Sequence, residues 1–276
     1  MSKYEVPTYL EFDLERTSED LIKYIRLHVA NSGVNGVVLG ISGGVDSACA
    51  AALAVRALGV ERIYSLILPD RESSAEDVRD SILVADVLGL KNVRYIDITG
   101  IVDAYLKSVG ASYEEAPKIA KGNVKVRSRM VLLYYFANVY NLLVLGTSDL
   151  SEYLLGFFTK WGDGAADIYP LINLYKTQVR VLAEYLGIPE KISWKPSSPG
   201  LWVGHKAKDE LGVDYDVIDR VLYHLVDLGL SPEVTSQRTG ISLSIIDNIV
   251  RRIKSTEHKR GGIPLPPKPH LNINRS

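Results

Sequence analysis

The stretch GVVLGISGGVDSACAAALAVRALG, residues 36 to 59, joins a very apolar run to an alanine-rich run through a polar loop with paired glycines. Val37, Val38 and Leu39 show no polar alternation, which is typical of a strand buried on both faces of a parallel sheet. Residues 48 to 58 favour a helix, and Gly59 stands where a helix ends. The stretch therefore predicts a strand, a loop and a helix within an α/β fold.

The loop SGGVDS, residues 42 to 47, combines small residues, hydroxyls and one carboxylate. Unpaired amides and the positive end of a helix dipole favour an anion at this place, and glycines leave room for phosphate oxygens. Ser42 and Ser47 add hydroxyl donors. Asp46 would repel a phosphate unless a divalent cation bridged them, as Mg²⁺ commonly does between carboxylates and nucleotides. The alternative is a glycine turn with an aspartate N-cap, and we favour phosphate binding.

Two common phosphate loops do not fit this segment. No lysine occurs between Lys23 and Lys91, so a loop ending in Gly-Lys-Ser/Thr is excluded. The dinucleotide fingerprint G-x-G-x-x-G is missing here as well. SGGVDS instead resembles the pyrophosphate loop of the N-type ATP pyrophosphatases, enzymes that cleave ATP to AMP and pyrophosphate. That resemblance implies an adenine nucleotide alpha hydrolase-like fold.

The bulk composition indicates an ordinary globular protein. The chain has 276 residues, is 46% hydrophobic and carries a formal net charge of -1. We expect a single domain over residues 1–276, in which the part from about 200 onward forms a lid-like loop, helices and a proline-rich tail. The near-neutral charge argues against a nucleic-acid partner, and no apolar run reaches the roughly 18 residues of a membrane span. We therefore expect no membrane partner and a cytoplasmic protein.

Strands and helices alternate along the rest of the chain. This order predicts a doubly wound parallel sheet flanked by helices, with a helical C-terminal part. Ligands of such sheets lie beyond the carboxyl ends of the strands, so SGGVDS and GTSDLSE (146–152) should share one edge. The predicted strands are 62–68, 92–98 and 142–149, and the predicted helices are one capped by Thr17 or Ser18, one opened by a Ser73–Glu76 capping box, one after Thr99 and one over 117–141.

Three further features point to the same edge. Glu152 could reach a metal held by Asp46, although it could also be a solvated helix residue. Lys176 starts a helix, where a cation is unfavourable with the dipole, so a bound phosphate explains it better than helix stability does. The segment GFFTKWGDGAADIYPL, residues 156 to 171, is too rich in glycine and aromatic residues for a regular element and is predicted to be a recognition loop.

The chain as a whole resembles one family, NAD synthetase, which amidates deamido-NAD (nicotinic acid adenine dinucleotide). The motifs that carry the resemblance, in family order, are GISGGVDSA, RSRM, GTSDLSE, FFTKWGDGAAD, PLINLYKTQVR, SPGLW, DELG and EHKR. The resemblance implies a homodimer and three sets of site residues. These are Gly40, Ile41, Ser42, Gly43, Gly44, Val45, Asp46, Ser47, Thr147, Lys176 and Ser198 for ATP; Arg127, Lys160, Asp167, His258 and Lys259 for deamido-NAD; and Asp46 and Glu152 for Mg²⁺.

The implied reaction is the ATP-dependent amidation of deamido-NAD by ammonia to give NAD, AMP and pyrophosphate through an NAD-adenylate. Asp46 with its magnesium and Lys176 would stabilise the departing pyrophosphate, and Asp167 would bind or deprotonate ammonium. Glutamine-using relatives carry an added N-terminal amidase domain with a catalytic cysteine. Only about 35 residues precede the first strand here, and Cys49 suits the core, so we expect free ammonia as the nitrogen donor.

One segment departs from the family pattern. The chain reads GLWVGHKAKDE where the family usually reads close to GLWPGQTDE, so residues 205 to 208 receive no catalytic role. This stretch resembles a mobile lid. We expect His205 and Lys208 to be solvated loop residues.

Two rival functions remain open at this stage. SPEVTSQRTGISLSIIDNIVRRIKSTEHKR, residues 231 to 260, mimics a DNA-binding helix-turn-helix. Its second helix, however, begins with Leu243, Ile245 and Ile246 in place of polar base-contacting residues, which favours packing and presentation of His258 and Lys259. The other rival is a different pyrophosphatase-loop ligase or a tRNA-modifying relative, and such a protein would lack FTKWGDGAAD and the late EHKR.

Overall fold

A four-stranded parallel sheet forms the centre of the computed structural model, which describes residues 7 to 262. Its strands are β1 (Gly36–Gly40), β2 (Ile63–Ile67), β3 (Asn92–Tyr95) and β4 (Leu142–Val144), in the order β3-β2-β1-β4. Val37 of β1 pairs with Ile63 on one side and Leu143 on the other. The sheet order reverses beside β1, because β2 and β4 flank it, and the predicted doubly wound parallel sheet is confirmed.

Helices cover both faces of the sheet and continue as a C-terminal helical part. In chain order they are α1 (Leu14–Asn31), α2 (Val45–Leu58), α3 (Ala75–Val87), α4 (Thr99–Ser108), α5 (Lys118–Tyr140), α6 (Leu150–Leu155), α7 (Lys176–Tyr185), α8 (Glu190–Ser193), α9 (Ala207–Leu211), α10 (Tyr215–Leu222), α11 (Pro232–Thr239), α12 (Leu243–Ser255) and α13 (Glu257–Arg260). A π-helical turn, Tyr223–Asp227, continues α10. The predicted proline-rich tail covers residues 261 to 276, and its part from residue 263 onward lies outside the described residues.

Side chains of successive residues in β1 point to opposite faces of the sheet, so they pack in two different hydrophobic cores. Leu39 packs with Leu53 of α2 in a core that also takes in α1 and α7. Val38 faces the other side and packs with Ile98 and Leu142 in a core closed by α4 and α5. Both sides of β1 are therefore buried, which explains its unbroken apolar sequence.

Two predicted helix starts were wrong. Asp13 caps α1 by accepting a hydrogen bond from the amide of Arg16 at 3.0 Å, so the helix begins before Thr17 and Ser18. Ser74 caps α3 by accepting from the amide of Asp77 at 2.9 Å. Ser73 cannot serve as that cap because its hydroxyl donates to Asp70 in the loop after β2. The third and fourth strands are also shorter than predicted, ending at Tyr95 and Val144.

The predicted tandem helices near the C-terminus are confirmed as α11 and α12. Ile246 and Ile249 of α12 are buried and pack with Leu155 of α6 and Tyr215 of α10. The apolar face of α12 is thus used internally. Among residues 7 to 262, none of these helices combines the length and apolar character that crossing a membrane requires.

Gly43 of the SGGVDS loop lies against α3, where there is no room for a side chain. Its φ is +78°, and an added Cβ would lie 2.4 Å from the carbonyl oxygen of Asp77. Gly43→Ala should therefore lower the free energy of unfolding by about 2 kcal/mol, as measured by urea denaturation. Gly44→Ala is the matched control, because its φ is -94° and its added Cβ would lie 3.4 Å from Ser42 Oγ. An equal or larger loss in Gly44→Ala would contradict the close-approach explanation.

Candidate active site

The carboxyl edge of the sheet opens into a cavity of about 810 Å³. The loop after β1, the segment after β4 and the segment before α9 all line it, so the predicted meeting of SGGVDS and GTSDLSE at one edge is confirmed. The sequence-predicted residues that line the cavity are Gly40, Ile41, Ser42, Gly44, Val45, Asp46, Ser47, Thr147, Glu152, Ser198 and Lys259.

The start of α2 is built to receive an anion. Gly44 is its N-cap and supplies no side chain, so the first amides of α2 have no side-chain acceptor among the described residues. Because α2 is 14 residues long, its dipole adds positive potential at the same point. The Ser47 hydroxyl accepts from the amide of Ser42 at 3.2 Å and donates to the carbonyl of Gly44 at 3.1 Å. Ser47 therefore shapes the loop.

Gly43 does not line the cavity, and its contact with ATP, which the resemblance implies, stays a prediction. Its α-carbon faces α3, where the Asp77 carbonyl leaves no space for a side chain. The need for glycine at this position thus comes from packing, and Gly44 is the glycine that faces the cavity.

A buried ammonium lies between three carboxylates beside this loop. Lys176 Nζ is 2.7 Å from Asp46 Oδ2, 2.8 Å from Asp149 Oδ2 and 2.8 Å from Glu152 Oε1. The side chains of Lys176 and Asp149 are fully buried, while those of Asp46 and Glu152 are about one-fifth exposed and reach the cavity. The three predicted residues Asp46, Glu152 and Lys176 are therefore brought together, and Asp149 joins them.

The charges in this cluster do not balance, because three carboxylates surround one ammonium. Burial by itself would lower the pKa of Lys176, but Asp149, Asp46 and Glu152 outweigh it and hold that pKa well above its usual range. Burial raises the pKa of Glu152 well above its usual range despite the attraction of Lys176, and it raises the pKa of Asp149 as well. The cluster thus favours an additional positive charge.

Helix α10 forms the wall behind Lys176. The Tyr215 ring centroid lies 5.1 Å from Lys176 Nζ, and Asp219, one turn further along, is fully buried. Asp219 receives hydrogen bonds from the Ser151 hydroxyl and the Thr177 amide. Sequence reasoning missed Tyr215 and Asp219. The sequence pattern that could have indicated them is local: Tyr215 and Asp219 are four residues apart, so they lie on the same face of an amphipathic helix as the buried Ile218.

The ATP residue predicted farthest along the chain, Ser198, organises the loop before α9. Its hydroxyl donates to the carbonyl of His205 and accepts from the amide of Gly200 at 3.2 Å. Nearby, Leu201 packs against Gly122 of α5, and its carbonyl accepts from the fully buried Lys125 at 2.9 Å. Hydrogen bonds within the loop and to α5 therefore hold residues 198 to 206 in place at the cavity.

The predicted deamido-NAD residues form a chain of contacts beside the cavity. Arg127 donates to the carbonyl of Lys160 at 3.1 Å, and Lys160 donates to the carbonyl of His258 at 2.7 Å. Lys259 donates to the carbonyls of Gly156 and Phe158 at 2.8 Å each and lines the cavity. Arg127, Lys160 and His258 do not line the cavity.

Asp167, the fifth residue of that set, is tied to the sheet. Its carboxylate accepts from the amide of Val144 at 2.7 Å and from the hydroxyl of Tyr134 at 3.2 Å, and it does not line the cavity. Asp163, four residues earlier, does line it, held by a hydrogen bond of 2.6 Å from the amide of Thr159. Sequence reasoning passed over Asp163 because both aspartates lie in one irregular loop.

The expectation that His205 is a solvated residue was wrong. His205 is only 5% exposed, its ring stacks on Trp202 with centroids 3.6 Å apart, and its Nε2 lies 3.3 Å from Glu210 Oε2. Burial lowers the pKa of His205 even though Glu210 opposes the shift. Lys208 is exposed as expected and pairs with Asp214. The ring is buried because the loop folds back over Trp202, an arrangement that local composition does not encode.

Comparison with known proteins agrees with this geometry. Residues 17–262 match the model of a family described as NAD synthase. The chain belongs to the NAD synthase family. It is 48% identical over 262 residues to an NH₃-dependent NAD⁺ synthetase of Hyperthermus butylicus, covering 94% of this chain and 92% of the relative. The family predicted from the sequence is thus confirmed.

Solved structures of NAD synthase relatives share the fold. An NMN synthetase from Francisella tularensis aligns with a TM-score of 0.81 at 35% identity, over 93% of this chain and 99% of that one. An NH₃-dependent NAD synthetase from Campylobacter jejuni aligns with a TM-score of 0.77 at 31% identity, over 93% of this chain and all of that one. The sheet and its flanking helices are therefore those of the NAD synthase fold.

The buried imidazole of His205 predicts a pH dependence. Its lowered pKa means that, below about pH 6.5, the unfolded chain takes up a proton that the folded protein does not. The stability contribution of neutral His205 is therefore present above about pH 6.5 and lost as the pH falls. We expect the melting temperature of wild type to fall more between pH 7.5 and pH 5 than that of His205→Gln.

The exposed His28 provides the control for that comparison. His28→Gln should follow the wild-type pH dependence of melting. If wild type and His205→Gln lose the same number of degrees between the two pH values, the imidazole is not held neutral by burial.

Proposed function

We propose that the protein catalyses the ATP-dependent amidation of deamido-NAD by ammonia, giving NAD, AMP and pyrophosphate. The observation that carries this proposal is the position of Lys176, which is held by Asp46 and Glu152 beside the anion-accepting start of α2. Membership of the NAD synthase family and the ammonia-dependent synthetases among its relatives support the same reaction. The cavity is the proposed site of both ATP and the reacting end of deamido-NAD.

The reaction needs activation because a carboxylate has no adequate leaving group. One carboxylate oxygen of the nicotinate attacks the α-phosphorus of ATP, the bond from that phosphorus to the β-bridging oxygen breaks, and pyrophosphate leaves. Ammonia then attacks the carbonyl carbon of the adenylate, and AMP departs with the former carboxylate oxygen. The first amides of α2 are proposed to stabilise the growing charge on the pyrophosphate by hydrogen bonds, and Lys176, which is buried behind Asp46 and Glu152 and does not line the cavity, by its positive charge.

The donor set also fits a magnesium ion. Asp46 Oδ1 is buried and accepts no hydrogen bond from residues 7 to 262, and Asp46 and Glu152 both reach the cavity. One or two carboxylates together with nucleotide phosphates are the ligands by which proteins commonly hold Mg²⁺. Magnesium would there neutralise negative charge on the phosphates, while Lys176 keeps the two carboxylates in place.

The proposed ammonium contact is Asp163, in preference to Asp167. Asp163 lines the cavity, whereas Asp167 lies outside the lining and is held by β4 and α5. A carboxylate in the cavity can bind ammonium and take the proton that must leave before attack. Cys49 is buried within α2, and burial raises the pKa of its thiol, so it does not supply a nucleophile. Contacts of Arg127, Lys160, Asp167, His258 and Lys259 with deamido-NAD remain predictions.

The protein is also proposed to form a homodimer. Val131, Tyr135 and Val139 recur every four residues along α5 and are each about half exposed. Such a row of apolar side chains on one helix face is a common feature of interfaces between subunits.

A single incubation tests the reaction. The protein with ATP, Mg²⁺ and ammonium chloride is offered either deamido-NAD or nicotinic acid mononucleotide, since one structural relative is an NMN synthetase. We expect deamido-NAD to give NAD, AMP and pyrophosphate in equal amounts, and the mononucleotide to react more slowly. Chromatography of the reaction mixture measures the products of both reactions. Faster amidation of the mononucleotide would reassign the substrate, and ADP formed in step with NAD would contradict attack at the α-phosphorus.

The shared role of Asp46 and Glu152 predicts the effect of neutralising either one. Asp46→Asn and Glu152→Gln should each slow pyrophosphate release about 100-fold or more while the far-ultraviolet circular dichroism is retained. Asp20→Asn and Glu15→Gln, on the exposed face of α1, are matched controls that should keep the wild-type rate. Wild-type pyrophosphate release in either site variant would remove that residue from the metal and phosphate site.

A further inference from the structure

A carboxylate outside the cavity connects the two segments that carry the site. Asp219 of α10 is fully buried and does not line the cavity. Its Oδ1 accepts from Ser151 Oγ at 2.5 Å, and its Oδ2 accepts from the amide of Thr177 at 2.8 Å. Ser151 Oγ in turn accepts from the amide of Lys176 at 3.0 Å. One side chain thus ties α6 to the first turn of α7.

The connection joins the neighbours of two proposed site residues. Ser151 immediately precedes Glu152, and Thr177 immediately follows Lys176. The gap between Glu152 Oε1 and Lys176 Nζ is 2.8 Å, so a small shift of α6 against α7 would break this contact and move the carboxylate that reaches the cavity. The hydrogen bonds to Asp219 therefore hold those two helix starts together, alongside the backbone bond from the amide of Leu150 to the carbonyl of Leu174 at 2.9 Å.

The chemistry of a carboxylate matters at this position. An ionised carboxylate only accepts hydrogen bonds, so the Ser151 hydroxyl must donate to it and keep a lone pair for the amide of Lys176. An asparagine amide could donate to Ser151 and would leave the direction of the hydroxyl undefined. Asp219 is fully buried, an environment that a carboxylate tolerates only when its oxygens accept hydrogen bonds, as both do here.

The same helix also contacts the head group of Lys176. Tyr215 lies one turn before Asp219, with its ring centroid 5.1 Å from Lys176 Nζ. Helix α10 therefore touches Lys176 at the ammonium and supports its backbone at the amide.

We propose that Asp219 is a positioning residue for the reaction: through Ser151 and Thr177 it holds Glu152 and Lys176 at the separation that Mg²⁺·ATP requires. The inference rests on the proposed function. Asp219 touches neither substrate nor metal, so its effect should fall on the ATP and magnesium side of the reaction and leave deamido-NAD binding unchanged.

The test compares Asp219→Asn with wild type and with Asp216→Asn, whose side chain is exposed on the same helix. We expect Asp219→Asn to lower kcat for pyrophosphate formation at least ten-fold, to raise the Mg²⁺ concentration for half-maximal rate, and to leave KM for deamido-NAD within two-fold. Asp216→Asn should match wild type in all three. An unchanged kcat and Mg²⁺ dependence in Asp219→Asn, or a rise in KM for deamido-NAD equal to the fall in kcat, would overturn the proposal.

Ser151→Ala keeps the test decisive if Asp219→Asn does not fold. It removes the same link while leaving Asp219 bonded to Thr177, and it should show the same separation of kcat from KM. Where both variants fold, the double variant should lose no more activity than the more impaired of the two single variants, because the Ser151 contribution passes through the hydrogen bond that it shares with Asp219. Additive losses would show that Asp219 does not act through Ser151 and would overturn the proposal.

Calorimetric titration with Mg²⁺·ATP separates this inference from the proposed function. Asp219→Asn should bind Mg²⁺·ATP at least ten-fold more weakly than wild type, whichever acid is amidated. Equal affinities would overturn the positioning role alone, and a wild-type protein that binds Mg²⁺·ATP without forming NAD would overturn the proposed function alone.

Discussion

The buried ammonium of Lys176 is the interaction on which the arrangement of the site depends. Asp46 comes from α2, Asp149 and Glu152 come from the segment after β4, and Lys176 begins α7. Without a cation, these three carboxylates would repel each other in a largely buried region, where water screens charges poorly. Lys176 therefore holds together three parts of the chain, and its own burial is tolerable only because those carboxylates surround it.

This dependence couples stability to function in an unusual way. A buried lysine with an excess of carboxylates contributes little net stability to a fold, since apolar residues of similar size in the same place often give an equally stable protein. In the proposed reaction, the unbalanced negative charge would attract the magnesium ion that accompanies ATP. The surrounding apolar cores, built on Leu39, Leu53 and Val38, supply the rigidity that keeps the cluster in place.

The C-terminal helices contribute more than packing. Helix α10 lies behind Lys176 with Tyr215 and Asp219, and α12 buries Ile246 and Ile249 against α6 and α10. The resemblance of α11 and α12 to a DNA-binding motif ends at this face, because the side chains that would meet a groove edge are partly used inside the protein. Part of the site's geometry is therefore determined by Asp219, which lies 42 residues after its partner Thr177 in the sequence.

Sequence by itself determined the strand–loop–helix at residues 36 to 59, the parallel sheet, and the meeting of Asp46, Glu152 and Lys176. These depend on local hydrophobic period, on glycine at turns and on the rule that parallel strands end at one edge. Only the tertiary structure decided that Gly43 serves packing against α3, that Asp163 faces the cavity in place of Asp167, and that His205 is buried. The same is true of Asp219, whose partners lie 68 and 42 residues away. Burial and hydrogen-bond partners of this kind depend on which distant segment packs over a residue. The residues adjacent in sequence do not determine which segment that is.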